Sequence, residues 1–134
     1  TSLGSAIQSL NRMARRSRLV VIVSDFRGPR DWSSALVELA GRHSVIAVEI
    51  QDPREQEIPD VGELWLVDPE TGRQLRVDTR SKKLRERFAN AAVQDRAEVA
   101  GMLARAGAQH VVLSTRGDWL RTLAGFLNAK GTAR

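Results

Sequence analysis

The residues of this 134-residue chain with the clearest chemical potential sit just past apolar runs. Leu19-Val20-Val21-Ile22-Val23 is followed at once by Ser24-Asp25, Val45 to Ile50 by Gln51-Asp52, and His110 to Leu113 by Ser114-Thr115. Oxygen donors of this kind, set at the carboxyl ends of parallel strands, suit a hard cation such as Mg²⁺ or an anion. The same residue types also form turns and helix caps, and for Asp52, which precedes Pro53, the turn is the favoured reading. Asp25 is the strongest functional candidate, because a carboxylate abutting a wholly apolar strand is costly to bury without a partner. His43 falls in a helix-to-strand turn. His110 falls at a strand start on the opposite edge from Asp25, and neither histidine has a second His at metal-binding spacing. Gly28, Gly62 and Gly72 are isolated, so no phosphate-cradling glycine loop is present. The serines lack the flanking glycines of a nucleophile elbow. These patterns offer no argument for enzyme chemistry.

The formal net charge is +5 and unevenly placed. Arg12, Arg15, Arg16, Arg18, Arg27 and Arg30 lie in the first thirty residues against a single acid, Asp25, while the rest of the chain is balanced. A basic patch around Arg12–Arg30, with Arg15, Arg16 and Arg18 at its centre, could meet a phosphate, nucleic acid or an acidic protein. The favoured reading is a solvated helix end, where cations are stabilised, or a protein contact. Aromatic residues are only 4% of the chain, with no Tyr, which argues against base stacking on single-stranded nucleic acid. The absence of Cys excludes a disulfide framework and thiolate chemistry and suits a cytoplasmic setting. No apolar run reaches the roughly 18 residues needed to span a bilayer. The chain opens on Thr1 and enters a helical pattern at once, which suggests a piece of a longer protein.

The elements that would position these residues follow from periodicity. Leu3, Ile7, Leu10 and Met13 mark an amphipathic helix over 2–16. Residues 19–24 are apolar on both alternating faces, which predicts a strand at the centre of a parallel sheet. Asp31 is placed to cap a helix carrying Trp32, Leu36 and Leu39 that stops near Gly41. A second buried strand over 45–50 completes a βαβ unit. The Pro-broken acidic stretch 51–62 reads as a loop. Residues 63–67 and 74–77 flank Asp68-Pro69-Glu70-Thr71-Gly72 as a β-hairpin, inserted over about 63–78. Ser81–Ala106 is a long helix ended by Gly107. A third strand over 110–114 precedes a last helix capped by Asp118 or Thr115. The expected fold is α/β: one domain over 1–134, with three parallel strands, an inserted β-hairpin and helices on both faces. Trp65 on the hairpin is either an interaction anchor or packed against the body of the protein.

The stretch 15–26 (Arg-Arg-Ser-Arg-Leu-Val-Val-Ile-Val-Ser-Asp-Phe), Asp52-Pro53-Arg54-Glu55, Asp68-Pro69-Glu70-Thr71-Gly72 and Leu113-Ser114-Thr115 together resemble domain-of-unknown-function family 58. That resemblance implies a von Willebrand factor A-like, Rossmann-like doubly wound sheet, of which this chain would be the C-terminal part. It implies an uncharacterised bacterial family commonly encoded beside MoxR-type AAA+ ATPases. Such domains carry a metal-ion-dependent adhesion site. Asp25 matches its third-loop acid and Thr1 its second-loop Thr, whereas the Asp-x-Ser-x-Ser of the first loop occurs nowhere in the sequence. Mg²⁺ is therefore expected in the intact protein and weakly or not at all in this chain. The resemblance also places the partner of strand 19–24 outside the sequence, leaving an open edge and implying a homodimer through it. The expectation is a non-enzymatic protein-interaction module acting with a MoxR-type ATPase. The alternatives are an anion or nucleic-acid binder, or a hydrolase with a metal-activated water at Asp25.

Overall fold

In the computed structural model, residues 2–13, 16, 18–68 and 71–132 are described. The elements run α1 (Leu3–Met13), β1 (Leu19–Ser24), α2 (Ser33–Arg42), β2 (Ser44–Gln51), a 3-10 turn (Pro53–Glu55), β3 (Glu63–Val67), β4 (Gln74–Asp78), α3 (Lys82–Ala106), β5 (Gln109–Ser114) and α4 (Trp119–Thr132). The chain forms two compact units, Thr1–Asp52 with Ala97–Arg134, and Pro53–Arg96.

The first unit is a mixed α/β layer structure around a three-stranded sheet of order β1-β2-β5. Both pairings are parallel, with Val21 level with Ile46 and Val48 level with Val111. One face, through Ile22, Val45 and Ala47, packs against Ile7 of α1, Leu36 and Leu39 of α2, and Val99 and Leu103 of α3. The other face, through Ile46, Val48, Val111 and Leu113, is covered by Leu123 and Phe126 of α4. Each fully buried aliphatic side chain here contributes about 1.5–3 kcal/mol. The strand buried on both faces is β2; β1 lies outermost among the described residues, at the open edge that the resemblance implies rather than the central place its two apolar faces suggest by themselves. Its apolar outer face is exposed because no strand or helix among the described residues covers it.

Local chemistry sets the element ends. In α1, Ser2 Oγ accepts the Ser5 N–H at 3.1 Å. Ser81 Oγ does the same for the Leu84 N–H at the start of α3, and Asp118 Oδ1 for the Arg121 N–H at the start of α4. Thr115 does not take that role: its N–H continues the sheet by donating to the Gln51 carbonyl. Gly107, at φ 91°, ends α3, and the Ala108 N–H returns to the Leu103 carbonyl at 3.1 Å as a Schellman closure requires. Asp31 is a further correction. Helix α2 starts from Trp32 with no side-chain cap bond, and Asp31 instead packs against the first turn of α1. A Cβ at Gly4 would come within 3.0 Å of Asp31 Cγ and 3.1 Å of its carbonyl oxygen, so glycine lets the two segments meet.

The second unit holds an antiparallel ribbon, β3 with β4, in which Leu66 faces Leu75 and Trp65 faces Arg76. Its turn closes through Gly72 N–H to Asp68 O and Asp68 N–H to Arg73 O. At the base, the fully buried Thr79 accepts the Val61 N–H and donates its hydroxyl to the Gly62 carbonyl. Arg85 of α3 donates to the Thr79 carbonyl at 2.6 Å and lies 3.6 Å from Asp60. No helix among the described residues is long and apolar enough to cross a membrane.

Candidate functional site

The loop after β1 is shaped by its own short side chains. Ser24 Oγ accepts the Phe26 N–H and Asp25 Oδ1 accepts the Arg27 N–H, both at 3.0 Å. These turns drive Phe26 into the left-handed region (φ 52°), an uncommon conformation for a bulky residue. The Phe26 ring is buried edge-to-face on Trp32, centroids 5.4 Å apart, which holds the loop against the core. Arg30 donates to the Phe26 carbonyl at 2.8 Å and closes the turn. A cleft of about 500 Å³ opens beside it, lined among others by Ser2 at the head of α1, Ser24, Arg27 and Asp31.

Asp25 thus stands at the carboxyl end of β1, in a polar loop near the head of α1. Thr1, its expected companion, lies outside the described residues, as does Arg15. The donors here are hard oxygens, the right chemistry for Mg²⁺, but no group of three or more His, Cys, Asp or Glu among the described residues could hold a metal ion. Asp25 with neighbouring hydroxyls fits part of a ligand set.

The arginines divide into two groups. Arg12, Arg16 and Arg18 lie toward the amino end of β1, and Arg27 and Arg30 past its carboxyl end, with about 17 Å of strand between. The continuous patch expected from the sequence is therefore split by the strand it flanks. Arg16 and Arg18 are exposed. A cleft of about 440 Å³ at the amino end is lined by Arg18, Arg42, His43 and Ser44. Helix α2 ends there, and its unsatisfied carbonyls offset the attraction of the arginines for an anion. His43 is structural: its Nδ1 accepts the Arg18 N–H at 3.0 Å and joins the start of β1 to the end of α2.

The sequence reading missed one buried polar cluster. Glu49, on the helix-covered α1–α3 face of β2, is 1% exposed. Its Oε1 lies 2.8 Å from His110 Nε2 on β5, and its Oε2 accepts the Gln51 amide at 2.7 Å. A charged residue inside the apolar run 45–50 was the available signal. Trp65 is 63% exposed on β3, with Val67 exposed two residues on and Leu66 and Leu75 exposed on the opposite ribbon face.

The fold and loop define a mixed α/β protein whose sheet ends in polar loops and whose second unit presents an apolar ribbon. The chain belongs to the family described as Protein of unknown function DUF58, which matches residues 1–98. It is similar to an uncharacterised protein of Mycobacterium avium, 41% identical over 130 residues that cover 96% of this chain and 75% of that protein. It is also similar to uncharacterised proteins of Mycobacterium bovis and Mycobacterium tuberculosis, each 42% identical over 130 residues. The chain spans 40% of the length of those two relatives. No solved structure matches it significantly.

Proposed function

We propose that this chain is a cytoplasmic, non-enzymatic protein-interaction module whose ribbon carries the main contact. The observation that supports this reading is Trp65, a large aromatic side chain 63% exposed on a two-stranded ribbon with apolar side chains exposed on both faces. An exposed Trp on a ribbon of this size gives little to folding and suits an anchor in a partner's pocket. The family resemblance supplies the partner class, the MoxR-type AAA+ ATPases commonly encoded beside genes of such proteins. It also supplies a second contact, in which Mg²⁺ held partly by Asp25 and Thr1 would present an open position to a partner carboxylate. In that reading residues 1–134 form the C-terminal part of such a domain.

The test is binding of the purified chain to such an ATPase by calorimetry, with Mg²⁺ and with EDTA. Trp65→Ala is expected to weaken binding about thirtyfold, the loss of a hot-spot anchor of about 2 kcal/mol. Asp25→Ala is expected to remove any Mg²⁺ dependence and leave the Trp65 contribution in place. Undiminished affinity of Trp65→Ala would refute the ribbon as the contact. Binding that falls steeply with salt and with neutralised Arg16 and Arg18, on any polyanion, would favour the anion-binding alternative instead.

A further inference from the structure

The two edges of the ribbon β3–β4 differ in character. At its turn the Asp68 N–H donates to the Arg73 carbonyl, and at its base the Thr79 N–H donates to the Gly62 carbonyl. Leu64 lies opposite Val77 and Leu66 opposite Leu75. Counted from either end, the mutually bonded residues of β3 and its flanks are therefore Gly62, Leu64, Leu66 and Asp68. The residues between them turn their N–H and C=O groups outward. On β3 these are Glu63, Trp65 and Val67, and on β4 they are Gln74, Arg76 and Asp78. The β4 edge is guarded, since Arg76 and Asp78 are charged and the Asp78 carbonyl accepts the Ser81 N–H. The β3 edge carries Trp65 and Val67, 63% and 57% exposed. Its outward backbone groups have no hydrogen bond among the described residues.

We infer, resting on the ribbon contact proposed above, that the partner lays an extended segment along the β3 edge and makes the ribbon a three-stranded sheet. A two-stranded ribbon is marginal by itself, and a third strand supplies the pairing it lacks. The edge residues set what that segment carries. Side chains directly opposite across neighbouring strands share a face, so the added strand is apolar opposite Trp65 and Val67. Opposite Glu63 it is basic. Arg76 bonds Glu63 Oε2, while Oε1 has no partner among the described residues and is left for a second cation. A second copy of the chain fits this edge poorly. Antiparallel pairing about Trp65 sets Glu63 against Val67 at both ends, and parallel pairing in register sets Glu63 beside Glu63.

The Val67 N–H takes no part in the ribbon, so Val67→Pro keeps the ribbon bonds, removes one outward donor and sets its ring at the edge. In calorimetry against a MoxR-type ATPase, Val67→Pro is expected to weaken binding about tenfold. Val67→Ala keeps the N–H and is expected to lose less, and Gln74→Pro, on the guarded edge, is expected to bind as the parent does. Hydrogen exchange followed by NMR tests the same point without substitution. The Trp65 and Val67 amides are expected to exchange freely in the chain alone and to become protected in the complex, while those of Gln74 and Arg76 do not. If Trp65→Ala weakens binding while Val67→Pro does not, and the two amides stay unprotected, strand addition is overturned and the ribbon contact stands. Undiminished binding of both variants overturns the contact itself. A dimeric mass for the chain that Val67→Pro converts to a monomeric one would overturn the proposal and assign the edge to a second copy. Protection of the two amides in the intact protein before the ATPase is added would overturn it in favour of another part of the same polypeptide.

Discussion

Truncating His110 to Ala removes one partner of a carboxylate that has almost no access to water. Glu49 is 1% exposed, while the His110 side chain is 18% exposed and sits 2.8 Å from it. Leaving a buried polar group without one of its hydrogen-bond partners costs about 1–3 kcal/mol, more where the group is charged, because it stays desolvated. Here the Gln51 amide still donates to Oε2 at 2.7 Å, and the space left by the imidazole lies near solvent. The expected loss is about 2–3 kcal/mol. For a chain of this size that is a fall in Tm of about 6–12 °C. The discriminating variant is the double replacement Glu49→Leu with His110→Leu. Removing charge and partner together abolishes the desolvation cost, and apolar replacements of buried pairs are often neutral. The double variant is expected to be more stable than His110→Ala alone. Urea unfolding followed by Trp32 fluorescence reads this unit selectively if Trp65 and Trp119, both exposed, are changed to Phe. Additive losses in the double variant, or a Tm for His110→Ala within about 1 °C of the parent, would refute the account.

Two further predictions concern the ends of elements. Gly4→Ala should destabilise by about 1–2 kcal/mol despite the better helix propensity of alanine, because its Cβ meets Asp31; thermal melts should show a smaller loss in an Asp31→Ala background, and a stabilised Gly4→Ala would contradict the contact. The Arg80 side chain, and next its backbone N–H, hold the Asp78 carboxyl below its ordinary range. The ribbon-end pair is thus fully formed above the usual carboxylate pKa near 3.9 and fades as pH falls through the lower folded value; in an NMR titration Arg80→Gln should raise the Asp78 midpoint, and an unchanged midpoint would count against the pair.

Much of the architecture was legible in the sequence because it rests on short-range chemistry. Ser81, Asp118 and Gly107 end helices through groups three to five residues away, and the ribbon follows from alternation around the Asp68–Gly72 turn. The apolar runs alone announced three strands with helices between them. What they left open was position within the sheet. A run such as Leu19–Val23 is equally compatible with a covered and an uncovered face, since side-chain alternation says which residues share a face and nothing of what lies above it.

Contacts between residues far apart in the chain needed the tertiary structure. Asp31 has the composition and place of a helix cap, and only the return of α1 across the end of β1 shows that it meets Gly4 instead. Glu49 and His110 are sixty-one residues apart and become partners because β2 and β5 are neighbours in register. The arginines form one cluster in sequence and two in space, since a strand separates points that chain order brings together. By itself, then, the sequence determined the elements, their ends and the candidate acid at Asp25. The tertiary structure decided where the buried Glu49 side chain finds its partner, how the arginines divide and what Asp31 meets, because each of these depends on which elements lie side by side.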